Sequence, residues 1–307
     1  MLRQRNPFSK AIPAALLATA AVIVSLLAHD VFSHRHPFDL VTVLAASPVP
    51  VSPSITVDYP EEGSIFPPEI TPPTFIWSDG GADAKKWLID IVLDGDSKQI
   101  HAVSAGEPIQ LGEIDPRTVS INNEPPALTP EQSSAHTWIP DAKTWAAIKQ
   151  HSMSRAARVT ITGIDASDRP VSQGRAAFST SMDPVGAPIF YRDVPLMPTE
   201  GVKGQIEPLG RALMFLINWR VRDISQPASR IVLHDMHTCA NCHSFSADGK
   251  TMGMDVDGPR NDKGLYALVP VQRNIVIRNQ DVLSWNSNLT LGNSRIGFMS
   301  QVSPDGK

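Results

Sequence analysis

The stretch Thr-Cys-Ala-Asn-Cys-His-Ser-Phe-Ser-Ala-Asp-Gly-Lys, residues 238–250, holds both cysteines of the chain, Cys239 and Cys242, with His243 directly behind the second. Two thiols at this spacing beside an imidazole suit three kinds of chemistry. Set in a single turn, the thiols reach the two vinyl groups on one edge of a porphyrin and the imidazole lies beneath the ring, with Thr238 placed to cap that turn. A structural zinc ion needs four ligands; His234 and His237 would complete a Cys₂His₂ set, although they lie upstream in an unusual order. A redox dithiol wants its CxxC at a helix N-terminus within a βαβ unit, and no such unit surrounds this one. Two cysteines cannot build a disulfide framework, so the spacing points to one local purpose.

Further side chains near the motif extend these options. Met252 and Met254 follow on one face of a predicted strand. A thioether opposite an imidazole raises the reduction potential of an iron centre and favours electron transfer. Met254 is the first choice as distal ligand and Met252 the alternative, while the same positions suit hydrophobic core packing. His234, His237 and Met236 are other candidates, as is an open, five-coordinate iron. In "DVDGPRND" (255–262), Asp255, Asp257, Asn261 and Asp262 cluster without full calcium-loop spacing, which reads as a solvated turn. The sequence carries no phosphate loop, nucleophile elbow or zinc-protease motif.

The elements that must position this site read as mostly β. There are 27 prolines and 6% aromatic residues, which fits strands joined by extended loops. Residues 1–28 read as an export signal: Arg3, Arg5 and Lys10 precede the apolar run 11–28, long enough to span a bilayer and without a good cleavage site. The expectation is an uncleaved transmembrane signal anchor, positive end inside, with a cleaved signal peptide and secretion as the alternative. Residues 29–56, with "SPVPVSPS", form a Pro/Ser-rich tether. Over 57–182, strands are expected at "FIWSD" (75–79), "WLIDIVLDGD" (87–96) and "ARVTITGID" (157–165), with a short helix at "DAKTWAAIKQ" (141–150). Residues 183–237 connect the halves, with extended "IFYRDVPL" (189–196) and "SRIVLHDM" (229–236). "PLGRALMFLINWRVRDIS" (208–225) is ambiguous and leans towards strand. In 238–307, Ser246-Ala247-Asp248-Gly249-Lys250 is echoed by Ser303-Pro304-Asp305-Gly306-Lys307. The Asp-Gly pair of each supplies the positive-φ geometry of a tight reversal.

C-x-x-C-H is the attachment pattern of c-type cytochromes, and the resemblance implies thioether roles for Cys239 and Cys242 and an axial role for His243, holding one haem c. Residues 57–182 resemble a fibronectin type III or immunoglobulin-like β-sandwich, through the Pro-rich entry "PPEITPPTFIW" and the strand spacing. Trp77, Trp87, Trp138 and Trp145 would then be core and edge residues. The S-x-D-G-K turns with the following "TMGMDVDG" and "KGLYALVP" resemble TolB-type β-propeller blades, and one blade cannot bury its own faces. The stretch "CANCHSFSADGKTMGMDVDGPRNDKGLYA" (239–267) is similar to a group of exported bacterial proteins described as cytochrome c-domain or TolB-like; that likeness covers residues 217–307.

The expected architecture is therefore mainly β: an N-terminal transmembrane helix, a fibronectin/immunoglobulin-like sandwich, then the start of a β-propeller-like domain carrying a c-type haem motif. The second S-x-D-G-K copy ends the chain, which suggests the N-terminal part of a longer protein. The expected function is one-electron transfer by a membrane-tethered haem protein on the periplasmic side of the inner membrane, exchanging electrons with a redox partner protein. Rivals are a propeller scaffold with a CxxC disulfide and a haem redox enzyme with an open iron position. A net charge of −4 without a basic stripe argues against nucleic acid as a partner.

Overall fold

The computed structural model describes residues 55–81, 83–93, 99–119, 123–196, 209–258, 262–284 and 299–306. In chain order its first elements are β1 (Ile55–Tyr59), β2 (Ser64–Phe66), β3 (Phe75–Asp79), β4 (Lys86–Leu93), β5 (Gln99–Ser104), β6 (Glu107–Pro108), α1 (Pro130–Ser134), β7 (His136–Trp138) and α2 (Ala142–His151). Then come β8 (Ala157–Ile164), β9 (Pro170–Thr180), β10 (Ile189–Asp193), β11 (Asn218–Arg222), β12 (Arg230–Leu233), β13 (Ala240–Phe245), β14 (Thr251–Gly258), β15 (Asp262–Pro270) and β16 (Val282–Ser284). The chain divides into two compact units. The first takes in Thr74–Pro108 and Ser134–Thr180 with the residues before Phe66; the second takes in Phe66–Pro73, Ile109–Ser133 and the residues from Ser181 on.

In the first unit, alternation explains the sheets. Along β4, Trp87, Ile89, Ile91 and Leu93 are buried while Asp90 and Val92 are only partly so. β4 lies inside a five-stranded antiparallel sheet of order β2-β9-β8-β4-β5, and a four-stranded sheet runs β1-β3-β7-β6. Aromatic residues from both sheets meet between them: Trp77 of β3 packs edge-on to Trp87 of β4 at 5.8 Å, and Phe75 edge-on to Phe178 of β9 at 5.8 Å. Asp141 caps α2 by accepting from the amides of Lys143 and Thr144, and the helix sends Trp145 and Ile148 into the core. Asp79 ties the unit together, its Oδ2 accepting from Trp87 Nε1 at 2.8 Å and Ser172 Oγ at 2.7 Å, its Oδ1 from the amide of Gly81.

The second unit has a three-stranded sheet, β10-β11-β12, and a four-stranded one, β13-β14-β15-β16. Its core gathers Trp219, Val232, Leu233, Ala240, Met252, Met254, Val256, Ala267 and Val269. Residues 211–222 resolve their ambiguity by doing both: a 3₁₀ turn at Arg211–Leu216, then the strand β11.

The expected architecture needs correction. The chain is mainly β, but as several separate sheets rather than the series of modules foreseen. Residues 57–182 do not close as one fibronectin-like module, because Phe66–Pro73 and Ile109–Ser133 leave to join the second unit and α2 fills core space in the first. The second unit forms no array of repeated four-stranded blades among the described residues, since only one of its two sheets has four strands. No helix among the described residues is long and apolar enough to cross a membrane. The run 11–28, expected to do so, lies outside the described residues, as does the tether up to residue 54.

Candidate functional site

The cysteine motif sits on an edge strand, not in the single turn its spacing suggested. β13 pairs antiparallel with β14: Ala240 opposes Val256, Asn241 opposes Asp255, and His243 opposes Met254, so the register slips and Cys242 is the extra residue of a bulge. Cys242 takes a left-handed φ of 48°, a conformation that costs a side-chain-bearing residue about 1 kcal/mol. Thr238 caps no helix; its hydroxyl donates to the carbonyl of Asp257 at 2.8 Å, while the amide of Asp257 donates to the carbonyl of Cys239. These two bonds pin the strand at the entrance to the motif. Both cysteines are free thiols, Cys239 exposed and Cys242 half-buried.

His243 lies in an aromatic corner. Phe190 of β10 meets its ring edge-on at 4.6 Å, Phe245 lies 6.0 Å away, and the two phenyl rings meet edge-on at 5.2 Å. Burial holds the imidazole pKa below its usual value, and the nearby positive charge of Arg192 pushes the same way. Both influences act against the charged imidazolium. Its Nδ1 is buried with no hydrogen-bond partner among the described residues. Arg192, two residues along β10 from Phe190, donates from Nη1 to the carbonyl of Ala240 at 2.7 Å, between the two cysteines. A cavity of about 300 Å³ adjoins this corner, lined by Phe190, Phe245, Val232 and Ile275.

The other face of the sheet carries a second polar group. Ser244 Oγ lies 3.1 Å from the Tyr266 hydroxyl and accepts from the amide of Val302 at 2.7 Å. Asp255 Oδ2 accepts from the amide of Met299 at 2.6 Å, while its Oδ1 is buried without a partner among the described residues. Burial raises the Tyr266 pKa against the opposing pull of the Ser244 hydrogen bond, and the charge of Asp255 adds to the rise. Gly253 is obligatory here, since a Cβ would come within 2.0 Å of the Tyr266 hydroxyl oxygen.

The remaining candidates do not converge. Met252 and Met254 are fully buried members of the core. Met254 stands directly across the ladder from His243, so the two side chains leave one face of the sheet side by side. The core encloses the Met254 side chain there, and this placement makes it a packing residue. His234 is exposed and bound to Asp235 at 2.6 Å, His237 is exposed, and Met236 packs at the margin of the core. No three His, Cys, Asp or Glu side chains gather as a metal-holding group among the described residues, so neither the Cys₂His₂ set nor the acidic turn assembles there. Asn261 and the side chain of Asp262 lie outside those residues. The CxxC lies on a strand bulge instead of a helix N-terminus, and so lacks the dipole that activates a thioredoxin-like dithiol.

The donors that remain are two free thiols and a half-buried imidazole in one five-residue stretch with an apolar wall behind the ring; these are donor types that would hold a covalent haem, but they lie along a bulged strand and not in a single turn. Phe190 and Arg192 were not singled out by sequence, although the alternation of "IFYRD" places both on one face of a strand. No protein-family model and no curated protein matches the chain.

Proposed function

We propose that this is an exported c-type haem protein that passes single electrons. The observation that carries the reading is the Cys239, Cys242 and His243 constellation, with both thiols free and the imidazole packed edge-on against Phe190. Each thiol would add its S–H across a vinyl group of the porphyrin, forming a thioether with no atom lost. His243 would present an imidazole nitrogen as proximal ligand. Bound haem supplies a one-electron couple, exchanged with a redox partner protein. Export is supported by the basic residues and apolar run at the N-terminus, and it would bring the thiols to the compartment where such attachment takes place.

A second reading, a haem redox enzyme with an open iron position, is favoured by the commitment of Met252 and Met254 to the core. A haem stain on a denaturing gel tests the shared premise. Protein from a strain competent in cytochrome c maturation should stain, and a colourless band would overturn both readings. Carbon monoxide then separates them: rapid binding by the reduced protein supports the open position, and no binding supports electron transfer alone.

A further inference from the structure

We infer that Arg192 is the positioning residue of the cysteine motif, tethering the strand between the two thiols and placing a fixed positive charge beside whatever His243 holds. The inference deepens the haem reading and rests on it only for its second half. β13 is the edge of its sheet, so the carbonyl of Ala240 is not used by a further strand of that sheet. Arg192 Nη1 takes it at 2.7 Å. An edge strand broken by a bulge has fewer ladder bonds than a central one, and its thiols would otherwise sample many orientations. The same strand, β10, supplies Phe190 against the His243 ring, so two side chains two residues apart hold the two ends of the motif. Arg192 is half-buried and forms no carboxylate ion pair in the described structure, in contrast to Arg220 of β11, which is bound to Asp193 at 2.6 Å. Its charge is therefore directed at the motif. A cation near an iron centre disfavours the more positive oxidation state and raises the reduction potential.

The test uses the full chain and three variants: R192Q, R192K and, as a control on the same sheet, R220Q. In haem-free protein the reaction of a thiol reagent reports only on the motif, because Cys239 and Cys242 are the sole cysteines. Labelling of the half-buried Cys242, resolved from that of the exposed Cys239 by peptide mass spectrometry, should be roughly tenfold faster in R192Q, the effect of losing one charge-assisted hydrogen bond. R192K, which retains a charged donor, should restore most of the slow rate, and R220Q should label as wild type does. Equal labelling in R192Q and wild type would overturn the positioning role. So would acceleration in R220Q as large as in R192Q, because the effect would then belong to the sheet. In haem-loaded protein, R192Q should favour the oxidised form at fixed potential, with R192K close to wild type; an unchanged balance in R192Q would overturn the charge effect. If the wild type never acquires haem, the proposed function fails, and the labelling rates still decide the role of Arg192.

Discussion

The two units solve the same packing problem with different treatment of their polar groups. In the first, Asp79 gathers Trp87, Ser172 and Gly81, and Asp165 accepts from Ser167 and from the amide and guanidinium of Arg169. Five buried side-chain polar atoms lack a partner among the described residues, and only Trp77 Nε1 belongs to this unit; the others are on Asp193, Trp219, His243 and Asp255 of the second. Each such atom costs about 1–3 kcal/mol. Both units hold non-glycine residues in left-handed backbone, Ser154 and Asp168 in the first and Asp235, Cys242 and Met299 in the second, and among these Cys242 alone lies inside a strand pair. Unpaired polar atoms and local strain persist where chemistry needs them. On the proposed function, the first unit is support and the second holds the site.

Four experiments break or sharpen that contrast. The largest effect belongs to Trp77→Ala, which removes a fully buried ring packed against Trp87 and His136. Denaturant unfolding should show a loss of ~3–5 kcal/mol, while native-state labelling of Cys239 and Cys242 stays at the wild-type rate. Altered labelling would mean that the division of roles is wrong. Asp79→Asn should cost about 2 kcal/mol by the same measurement, because an amide cannot accept from Gly81, Trp87 and Ser172 together. Cys242→Gly should have the opposite sign: glycine relaxes the 48° φ and should stabilise the protein by about 1 kcal/mol even as it removes a thiol. A destabilised glycine variant would remove strain from the account.

The smallest effect is a titration. Asp248, in the first S-x-D-G-K turn, has its pKa lowered from 3.8 to about 2, chiefly by the amide of Lys250 and then by the Ser246 hydroxyl and the Lys250 side chain. A folded pKa below the unfolded one means that the stabilisation is complete above pH 3.8 and is lost as pH falls through about 2. A carboxyl titration followed by NMR should show that midpoint, and Ser246→Ala should move it back towards 3.8.

Much of the local structure was legible, for identifiable reasons. Alternation marked β4, β8 and β14, "FIWSD" read as β3, and "DAKTWAAIKQ" read as the short helix α2. The Asp-Gly turn marked the β13–β14 hairpin, with Gly249 at a φ of 66°. What escaped was non-local. Nothing near residue 190 announces that Phe190 and Arg192 will meet a motif some fifty residues later, since strand contacts leave no trace in spacing. The bulge at Cys242 carries no glycine to signal positive φ, so the motif read as a turn. Met254 showed the right chemistry for an iron ligand, but its pairing with His243 depends on that one-residue slip in register. The first unit's boundaries were hidden because Ile109–Ser133 leaves it and the chain then returns.

The central claim, that Cys239, Cys242 and His243 hold a covalent haem, is tested most directly by intact-protein mass spectrometry under denaturing conditions. The chain should be expressed with an export signal in a cytochrome-maturing host and compared with C239S, C242S and the double variant. Wild type should carry the added mass of one haem, each single variant should retain it in lower yield through one thioether, and the double variant should carry none. A wild-type mass matching the polypeptide alone, alongside a haem-loaded control cytochrome from the same host, would contradict the account.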